Sequence, residues 1–405
     1  MTRLDLSFLL PSIAIVFACG CEAADYEFDG SMPRKVLENY LSRSVTHTGL
    51  CDSHPDAPTS SIEEDVRMLV DIGAKFVGRT AFVWDLPAKE NPHFEKTRKV
   101  AAKIHEADPE IILQACIFEA VFPKANRIPV PAWVFKDFEI PVEDRNFQYE
   151  AMLYDDGSRV GQWRGTGSVP DMSQLETRLW FYYRARRYID CGMEALHFGQ
   201  VMIMNEADPG HRHWFDLLTR VRSYAKRHGR RNFVLCDAHT HGVVEGGRLL
   251  FDFHSFPLRI DETKGKPQEG HLSKTGAGKI FGRSKGGMTP SGWSCESLPY
   301  LVEFDNWGYS GKGGQSVGGI WVWGYDEMSW FAHQESAYRA HFLRYSHSWL
   351  KKQAPNGFLQ IPTRRKLAAP VDKNVRMFRA HDLKEGMPYG FGLVSTIQEV
   401  WGTGN

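Results

Sequence analysis

The sequence predicts an α/β fold, a single (β/α)8 TIM barrel, and three observations support that prediction. Eight apolar segments resembling buried strands follow one another over about 310 of the 405 residues. Most of them are separated by segments in which apolar residues recur at helical spacing. The strand segments are apolar on both faces, which is typical of a parallel sheet covered by helices. Eight such units in a domain of this size indicate a closed barrel.

The first half of the chain contains two β-α-β steps in succession. RSVTHTGLCDSH predicts the first strand, and SSIEEDVRMLVDIGA predicts a helix with acidic residues in its first turn. KFVGRTAFVWD is the second predicted strand, and a helix at about 94–106 leads to a third strand, EIILQACIFEAVF, that ends near Glu119. The interval 122–170 shows no clear periodicity, and a connection this long indicates a functional insertion after strand three.

The second half continues the alternation. A helix that ends near Tyr188 precedes the fourth strand, MEALHFGQV, and a helix at about 211–228 precedes the fifth, NFVLCDAHTHG. The remaining strands are predicted in LLFDFHSF, in YLVEFDN and in GGIWVWGY at 318–325, before a terminal helix at 334–350. We therefore predict a linker at 25–41, the barrel at 42–351 and a short extension at 352–405 that packs on the barrel. A doubly wound sheet would need a Gly-rich phosphate turn near its first strand, and the sequence shows none.

The N-terminus has the pattern of an export signal. Arg3 precedes an apolar run at 8–19 that is short for a bilayer span and is followed by small residues. We predict a signal peptide at 1–24 and a periplasmic, cell-surface or secreted protein. The run Ala-Cys-Gly-Cys resembles a weak bacterial lipobox, in which Cys21 would carry a lipid, and this anchor is the one membrane contact that we predict.

Composition excludes several classes of partner. Lys+Arg and Asp+Glu are equal at 49 each, so the charge gives no reason to expect nucleic acid or an anionic membrane as a partner. No nucleotide or phosphate motif appears, and we predict no cofactor. The five cysteines outside the leader are widely spaced, which predicts neither a zinc ribbon nor a disulfide framework. The oligomeric state stays open.

Polar residues stand at the ends of all eight predicted strands. Active sites in this fold are built at the C-terminal ends of the strands, so these side chains are expected to converge on one site. The candidates for substrate binding are Arg79, His197, Gln200, Asp237, His239, His254, Asp305, Trp321 and Trp323.

The stretch around the seventh strand points to a sugar ligand. Glu303 and Asp305 lie two residues apart and share one face of a strand, as do Trp321 and Trp323 in the next apolar run. Carboxylates engage the hydroxyl groups and the glycosidic oxygen of a sugar, whose C–H face stacks on indole rings. Trp163 or Trp133 in the insertion would extend this platform.

This layout resembles the superfamily of (β/α)8 glycoside hydrolases over roughly residues 42–351. The resemblance implies an oligosaccharide or polysaccharide substrate, with the strand-seven Glu303 as nucleophile or base. In the clan with paired glutamates, an Asn-Glu pair follows strand four. Asn205-Glu206 has these two residue types, but Glu206 lies six residues beyond Gln200, where the predicted strand ends. Glu119 at the end of strand three is the competing acid, and both Glu206 and Glu119 remain candidate catalytic partners.

Two other functions remain open at this point. His239 and His241 in DAHTHG resemble the metal pair of amidohydrolase-type barrels, although that pair belongs to a first strand. A metal-dependent hydrolase is therefore one alternative. A non-catalytic barrel that binds glycans is another. The leading prediction is an exported glycoside hydrolase with no bound metal.

Overall fold

The computed structural model shows a closed barrel of eight parallel strands. It describes residues 24–51, 62–85, 87, 89–163, 166–275, 283–382 and 390–403. The strands are β1 Ser44–His47, β2 Phe76–Ala81, β3 Ile112–Cys116, β4 Ala195–His197, β5 Leu235–His239, β6 Phe253–Pro257, β7 Tyr300–Glu303 and β8 Gly357–Lys366. Each strand pairs with the next, and β8 returns to β1, where Ile361 lies opposite Val45. The predicted fold class is confirmed.

Helices surround the barrel. They are α1 Arg34–Ser42, α2 Ile62–Asp71, α3 Glu90–Ala107, α4 Ala132–Asp137, α5 Leu175–Ile189, α6 Arg212–His228, α7 Glu327–His333, α8 Ser336–Gln353 and α9 Val394–Trp401. The acidic first turn of α2 is as the sequence indicates, and its Met68 and Leu69 are buried. No helix in the described part of the chain has the length and apolarity needed to cross a bilayer.

The prediction of an eighth strand at 318–325 is wrong. This segment is a loop in which Val322 and Tyr325 form a single bridge. Its glycines and Trp323 take left-handed backbone angles, with φ of 48° at Trp323, and these interrupt an extended strand. The closing strand is β8, so the region predicted as an extension at 352–405 contains part of the barrel itself. A short antiparallel strand, β9 Met377–Arg379, then pairs with the end of β8.

Buried charge explains why β8 is difficult to recognise in the sequence. The strand reads GFLQIPTRRK, and all but its last residue are buried or half-buried. Arg364 Nη1 lies 3.2 Å from Asp65 Oδ2, and Arg365 Nη1 lies 3.5 Å from Glu303 Oε2. Each arginine is therefore matched by a buried acid from another part of the chain, as buried charges require.

The N-terminal end of the barrel is closed by the segment predicted as a linker. In that segment α1 buries Leu37 and Tyr40 against strand residues that point into the barrel, including Phe76 and Phe253. The rings of Phe76 and Phe253 meet edge to face with centroids 5.6 Å apart. This end of the barrel is a packed core, which leaves the opposite end for a site. Residues 1–23, with most of the predicted signal peptide and Cys21, lie outside the described residues.

The insertion after β3 is a compact layer of short elements. It contains the 3-10 helices Pro123–Arg127 and Glu150–Met152, with α4 between them. Phe147 packs edge to face on Trp180 of α5, with ring centroids 4.9 Å apart. This packing fixes the insertion against the barrel and brings Trp163 to the mouth of the site.

Candidate active site at the C-terminal end of the barrel

A cleft of about 800 Å³ opens where the barrel strands end. Its walls come from the ends of β2, β3, β5, β6 and β7 and from the loops that follow strands β2 to β7. The lining includes Arg79, Phe82, Trp84, Phe118, Glu119, Gln162, Trp163, Gln200, Met202, His239, His241, Ser255, Arg259, Asp305, Asn306, Trp307 and Ile320. The cleft thus combines aromatic surface with a few polar groups, the usual character of a small-molecule or substrate site.

Glu303 lies under the floor of the cleft as a fixed anion and is 3% exposed. Arg79 donates hydrogen bonds to both carboxylate oxygens of Glu303, from Nε to Oε2 at 3.1 Å and from Nη2 to Oε1. Thr46 Oγ1 donates to Oε2 at 3.3 Å, and Arg365 contacts the same oxygen. Burial opposes ionisation, but the two guanidinium groups outweigh it and hold the pKa of Glu303 well below its usual range.

Arg79 reaches the cleft through an irregular backbone conformation. Its φ is 59°, and the register between β2 and β3 shifts at this point. A non-glycine residue in this region costs roughly 1 kcal/mol or more, so the surrounding contacts hold it in place. Gln114 Oε1 accepts a hydrogen bond from the Arg79 amide at 3.1 Å, and the guanidinium lies 5.8 Å from the ring centroids of Phe82 and Phe118.

A second polar network supports His239 from below. His197 Nδ1 lies 2.8 Å from Asp237 Oδ2, and Gln114 Nε2 donates to Asp237 Oδ1 at 2.7 Å. Burial lowers the pKa of His197, which disfavours its charged form. The His197 ring packs edge to face on His239, whose Nε2 lies 3.6 Å from Glu303 Oε1. Of the predicted binding residues, His239 lines the cleft, whereas His197 and Asp237 lie beneath the lining.

Glu119 forms one wall of the cleft. Its side chain accepts hydrogen bonds from the backbone N–H of Gln200 at 3.0 Å and from Nε2 of Gln200 at 3.1 Å. Its carbonyl oxygen accepts a hydrogen bond from Trp163 Nε1 at 2.9 Å. Gly199 has a φ of 66°, and a Cβ atom there would lie 1.7 Å from Glu119 Oε2. Glycine at this position therefore makes room for the carboxylate.

Asp305 forms the opposite wall, immediately after β7. Its Oδ2 accepts a hydrogen bond from Arg259 Nη2 at 3.2 Å, and its Oδ1 accepts one from the Asn306 amide at 2.8 Å. Arg259 Nη1 also donates to both carboxylate oxygens of Glu327, at 2.8 Å and 2.9 Å. The start of α7 supports this arrangement, because Met328 N–H donates to the Asp305 carbonyl at 2.9 Å.

No protein-family model and no curated protein sequence matches the chain. Among solved structures, it is similar to a cyclic α-maltosyl-(1→6)-maltose hydrolase from Arthrobacter globiformis, at 12% identity and a TM-score of 0.46 over 90% of this chain and 83% of that one. An α-amylase from Geobacillus thermoleovorans gives 9% identity and a TM-score of 0.45 over 89% and 79%.

A debranching enzyme from Nostoc punctiforme is similar over a smaller region, at 10% identity and a TM-score of 0.32. The match covers 54% of this chain and 52% of that one, so the chain spans about half the length of that enzyme. The barrel assignment rests on the strand order of the chain itself.

Two predicted polar residues lie away from the cleft lining. Glu206 is exposed and accepts a hydrogen bond from Arg159 Nε at 2.8 Å, which lowers its pKa. It follows β4 by nine residues, and the short helical turn between them carries it outward. His254 is fully buried with Nδ1 2.6 Å from Ser284 Oγ, and burial lowers its pKa to about 3. Neither lines the cleft.

The predicted tryptophan pair does not share a face, because its segment is a loop rather than a strand. Trp323 is an anchor whose amide donates to Glu262 Oε1 at 2.9 Å and whose Nε1 donates to the Glu269 carbonyl at 2.8 Å. Trp321 instead lies parallel to Trp307. Trp133 stacks on Tyr183 outside the cleft, while Trp163 lines it, as one of the two alternatives expected.

Several lining residues were absent from the prediction. They are Phe82, Trp84, Phe118, Arg259 and Trp307. The signal for most of them was available, since Phe82, Trp84 and Trp307 follow strands two and seven within a few residues in AFVWD and EFDNW. Reading the first loop residues after each strand, and not the last strand residue alone, would have found them. In the described part of the chain, no three His, Cys, Asp or Glu side chains are grouped as ligands for a metal ion.

Proposed function

We propose that this protein is a carbohydrate-active enzyme, a glycoside hydrolase that binds an oligosaccharide or polysaccharide in the cleft. The observation that supports the proposal is the pair of carboxylates, Glu119 and Asp305, which line one aromatic-rich cleft and follow strands on opposite sides of the barrel. They follow strands three and seven, and more than half of the residues of the barrel lie between them in the sequence.

The lining suits a sugar better than a wholly apolar ligand. Phe118, Trp84 and Trp163 form a connected aromatic surface, with ring centroids 5.0 Å apart for the first pair and 5.4 Å for the second. Such rings accept the C–H face of a pyranose. Gln200, His239 and the two carboxylates provide the polar groups that a sugar's hydroxyls require.

The environments of the two carboxylates support different roles in the reaction. Hydrolysis of a glycoside needs one carboxyl group that donates a proton to the leaving oxygen and a second that acts as a nucleophile or as a base toward water. Asp305 lies beside the Arg259 guanidinium, which stabilises its negative charge. Among the residues that the structure describes, the donors to the Glu119 carboxylate are the neutral groups of Gln200. We therefore assign Glu119 as the acid and Asp305 as the anionic partner.

The role predicted for Glu303 stays a prediction. Its contacts with Arg79, Arg365 and Thr46 support a different role, that of a buried anion that positions the Arg79 side chain at the cleft floor. A carboxylate with both oxygens engaged by guanidinium groups has little freedom to attack a substrate or transfer a proton.

The proposal is tested with Glu119→Gln and Asp305→Asn, and with Glu206→Gln as the competing assignment. Released reducing sugar is measured on a panel of neutral and acidic polysaccharides. We expect the first two variants to lose about 10²–10⁴-fold in kcat and the third to keep wild-type turnover. Loss of turnover in Glu206→Gln alone would contradict the assignment of Glu119. Binding of a polysaccharide with no cleavage by the wild type would favour the glycan-binding alternative. The absence of both binding and cleavage on the whole panel would refute the proposal.

We further propose that the protein is exported and that Cys21 anchors it to a membrane through a lipid. The support is the sequence pattern of residues 1–24. Mass spectrometry of the mature N-terminus tests both parts. A diacylglyceryl-modified Cys21 at the N-terminus supports the anchor, cleavage beyond Cys21 supports release, and an intact Met1 on cytoplasmic protein contradicts export.

A further inference from the structure

We infer that Trp307 and Trp321 form a sugar-stacking subsite at the rim of the cleft, so that the ligand is a pyranose chain that continues beyond the two carboxylates. This inference rests on the proposed function and adds the length of the substrate to it. It predicts preference for a polymer or long oligosaccharide over a single glycoside.

The exposure of Trp307 is the first observation. At 58% it is the most exposed of the large hydrophobic side chains in the described part of the chain. The same residue lines the cleft. An indole left this open to water beside a cavity marks a binding surface rather than a core position.

The second observation is that the ring is held in position. Trp321 lies parallel to Trp307, with an interplanar angle of 6° and ring centroids 6.1 Å apart. Trp321 also lies over Gly308, where a Cβ atom would be 3.1 Å from Trp321 Cη2 and where φ is 83°. The turn after Trp307 therefore allows the two indoles to approach, and the pair presents a fixed flat surface.

The loop that carries Trp321 is anchored along its length. Trp323 makes two hydrogen bonds to the segment around Glu262, and Tyr309 stacks on Tyr325 with ring centroids 6.0 Å apart. Ser310 Oγ donates a hydrogen bond to the Gly324 carbonyl oxygen. An aromatic surface that is already ordered loses little conformational entropy when a ligand stacks on it.

The position of the pair relative to the carboxylates defines the path of the ligand. Trp307 follows Asp305 by two residues, whereas Trp163 lies on the other wall with its Nε1 bonded to the Glu119 carbonyl. Aromatic rings therefore lie beside both carboxylates. A chain of pyranose rings that spans the cleft would contact Trp163 at one side and Trp307 at the other.

The test compares Trp307→Ala with Val142→Ala, an exposed apolar side chain outside the cleft and outside its loops. The measured quantity is kcat/KM on the polysaccharide identified in the panel, divided by kcat/KM on the aryl glycoside of the same sugar. We expect this ratio to fall about tenfold in Trp307→Ala, the loss of one aromatic stacking contact, and to stay unchanged in Val142→Ala. Trp307→Phe should restore most of the ratio.

A second measurement separates failure of the subsite from failure of the proposed hydrolase. Affinity electrophoresis through the same polysaccharide is run with Glu119→Gln and with Glu119→Gln/Trp307→Ala. Weaker retardation of the double variant supports the subsite even if no cleavage is detected. If the wild type cleaves the polymer while Trp307→Ala changes neither the ratio nor the retardation, or if Val142→Ala has the same effect as Trp307→Ala, the subsite is refuted and the hydrolase stands.

Discussion

Replacing Asp326 with Asn should make the protein more stable at alkaline pH while leaving its stability at acidic pH almost unchanged. Asp326 is 2% exposed and caps α7, with Oδ1 accepting a hydrogen bond from the Ser329 amide at 2.8 Å. Its Oδ2 is buried and accepts no hydrogen bond from the residues that the structure describes. Burial raises the pKa of Asp326 to about 7, and the nearby charge of Asp305 acts in the same direction.

The sign and size of the effect follow from linkage. A carboxyl group whose pKa rises from 3.8 to about 7 on folding binds its proton more tightly in the native state. Its contribution is therefore fully present below pH 3.8 and is lost as the pH rises through about 7. That interval corresponds to about 4 kcal/mol in the free energy of unfolding. Asn cannot ionise and remains a good N-cap, so the variant keeps the helix start and avoids this loss.

The assay is urea unfolding followed by tryptophan fluorescence between pH 4.5 and pH 8.5, with the exposed Asp144→Asn as control. We expect the unfolding free energies of Asp326→Asn and wild type to diverge, in favour of the variant, as the pH rises to about 7 and to stay apart by a constant amount above it. The control should follow the wild type throughout. A variant whose stability differs from that of the wild type by the same amount at every pH would refute the reasoning, because it would show that the pKa of Asp326 does not change on folding.

Three further predictions concern the site and the barrel closure. Gly199→Ala should lower kcat at least tenfold, because the added methyl group displaces the Glu119 carboxylate. The control is Gly210→Ala, with a similar φ of 71° and no atom within 4 Å, which should cost only about 1 kcal/mol of stability. Equal activity in the two variants would contradict the steric argument. Glu303→Gln should lower the free energy of unfolding by about 3–5 kcal/mol, since two buried guanidinium groups lose their anion, and a urea midpoint near the wild type would count against this. Deleting 354–405 should abolish cooperative thermal unfolding because it removes the eighth strand, and a folded product would show that this region is an extension after all.

Much of the fold was predictable because most of its strands can be recognised from their amino-acid composition. β2, β3, β5 and β7 are buried and mostly apolar, and each has a polar residue at or shortly after its end. The eighth strand was not predictable in this way. GFLQIPTRRK has the composition of a solvated tail, and its arginines become compatible with burial only through Asp65 and Glu303, which lie far away in sequence. GGIWVWGY is more apolar, but its glycines favour a loop.

The site was predictable to the extent that strand ends determine it. Arg79, Glu119, Gln200, His239 and Asp305 all line the cleft, as the rule for this fold leads one to expect. Other candidates failed for local reasons that the sequence does not display. A strand end also supplies residues that point below the lining, and a loop can turn an acid or an indole toward solvent or into an anchoring role. Contacts between side chains that are far apart in sequence depend on how the strands are aligned in three dimensions, which the sequence does not display.

The seam between β1 and β8 has a consequence for biosynthesis. Val45 and Ile361 are neighbours in the closed barrel, yet they lie far apart in the sequence. A chain whose first seven strands have formed without the segment that ends at Lys366 has a sheet with two unsatisfied edges, the kind of template to which other strands add. Long-range closure of this sort is slow and prone to aggregation. Cells that make this protein are therefore expected to rely on a chaperone that shields those edges until the last strand arrives.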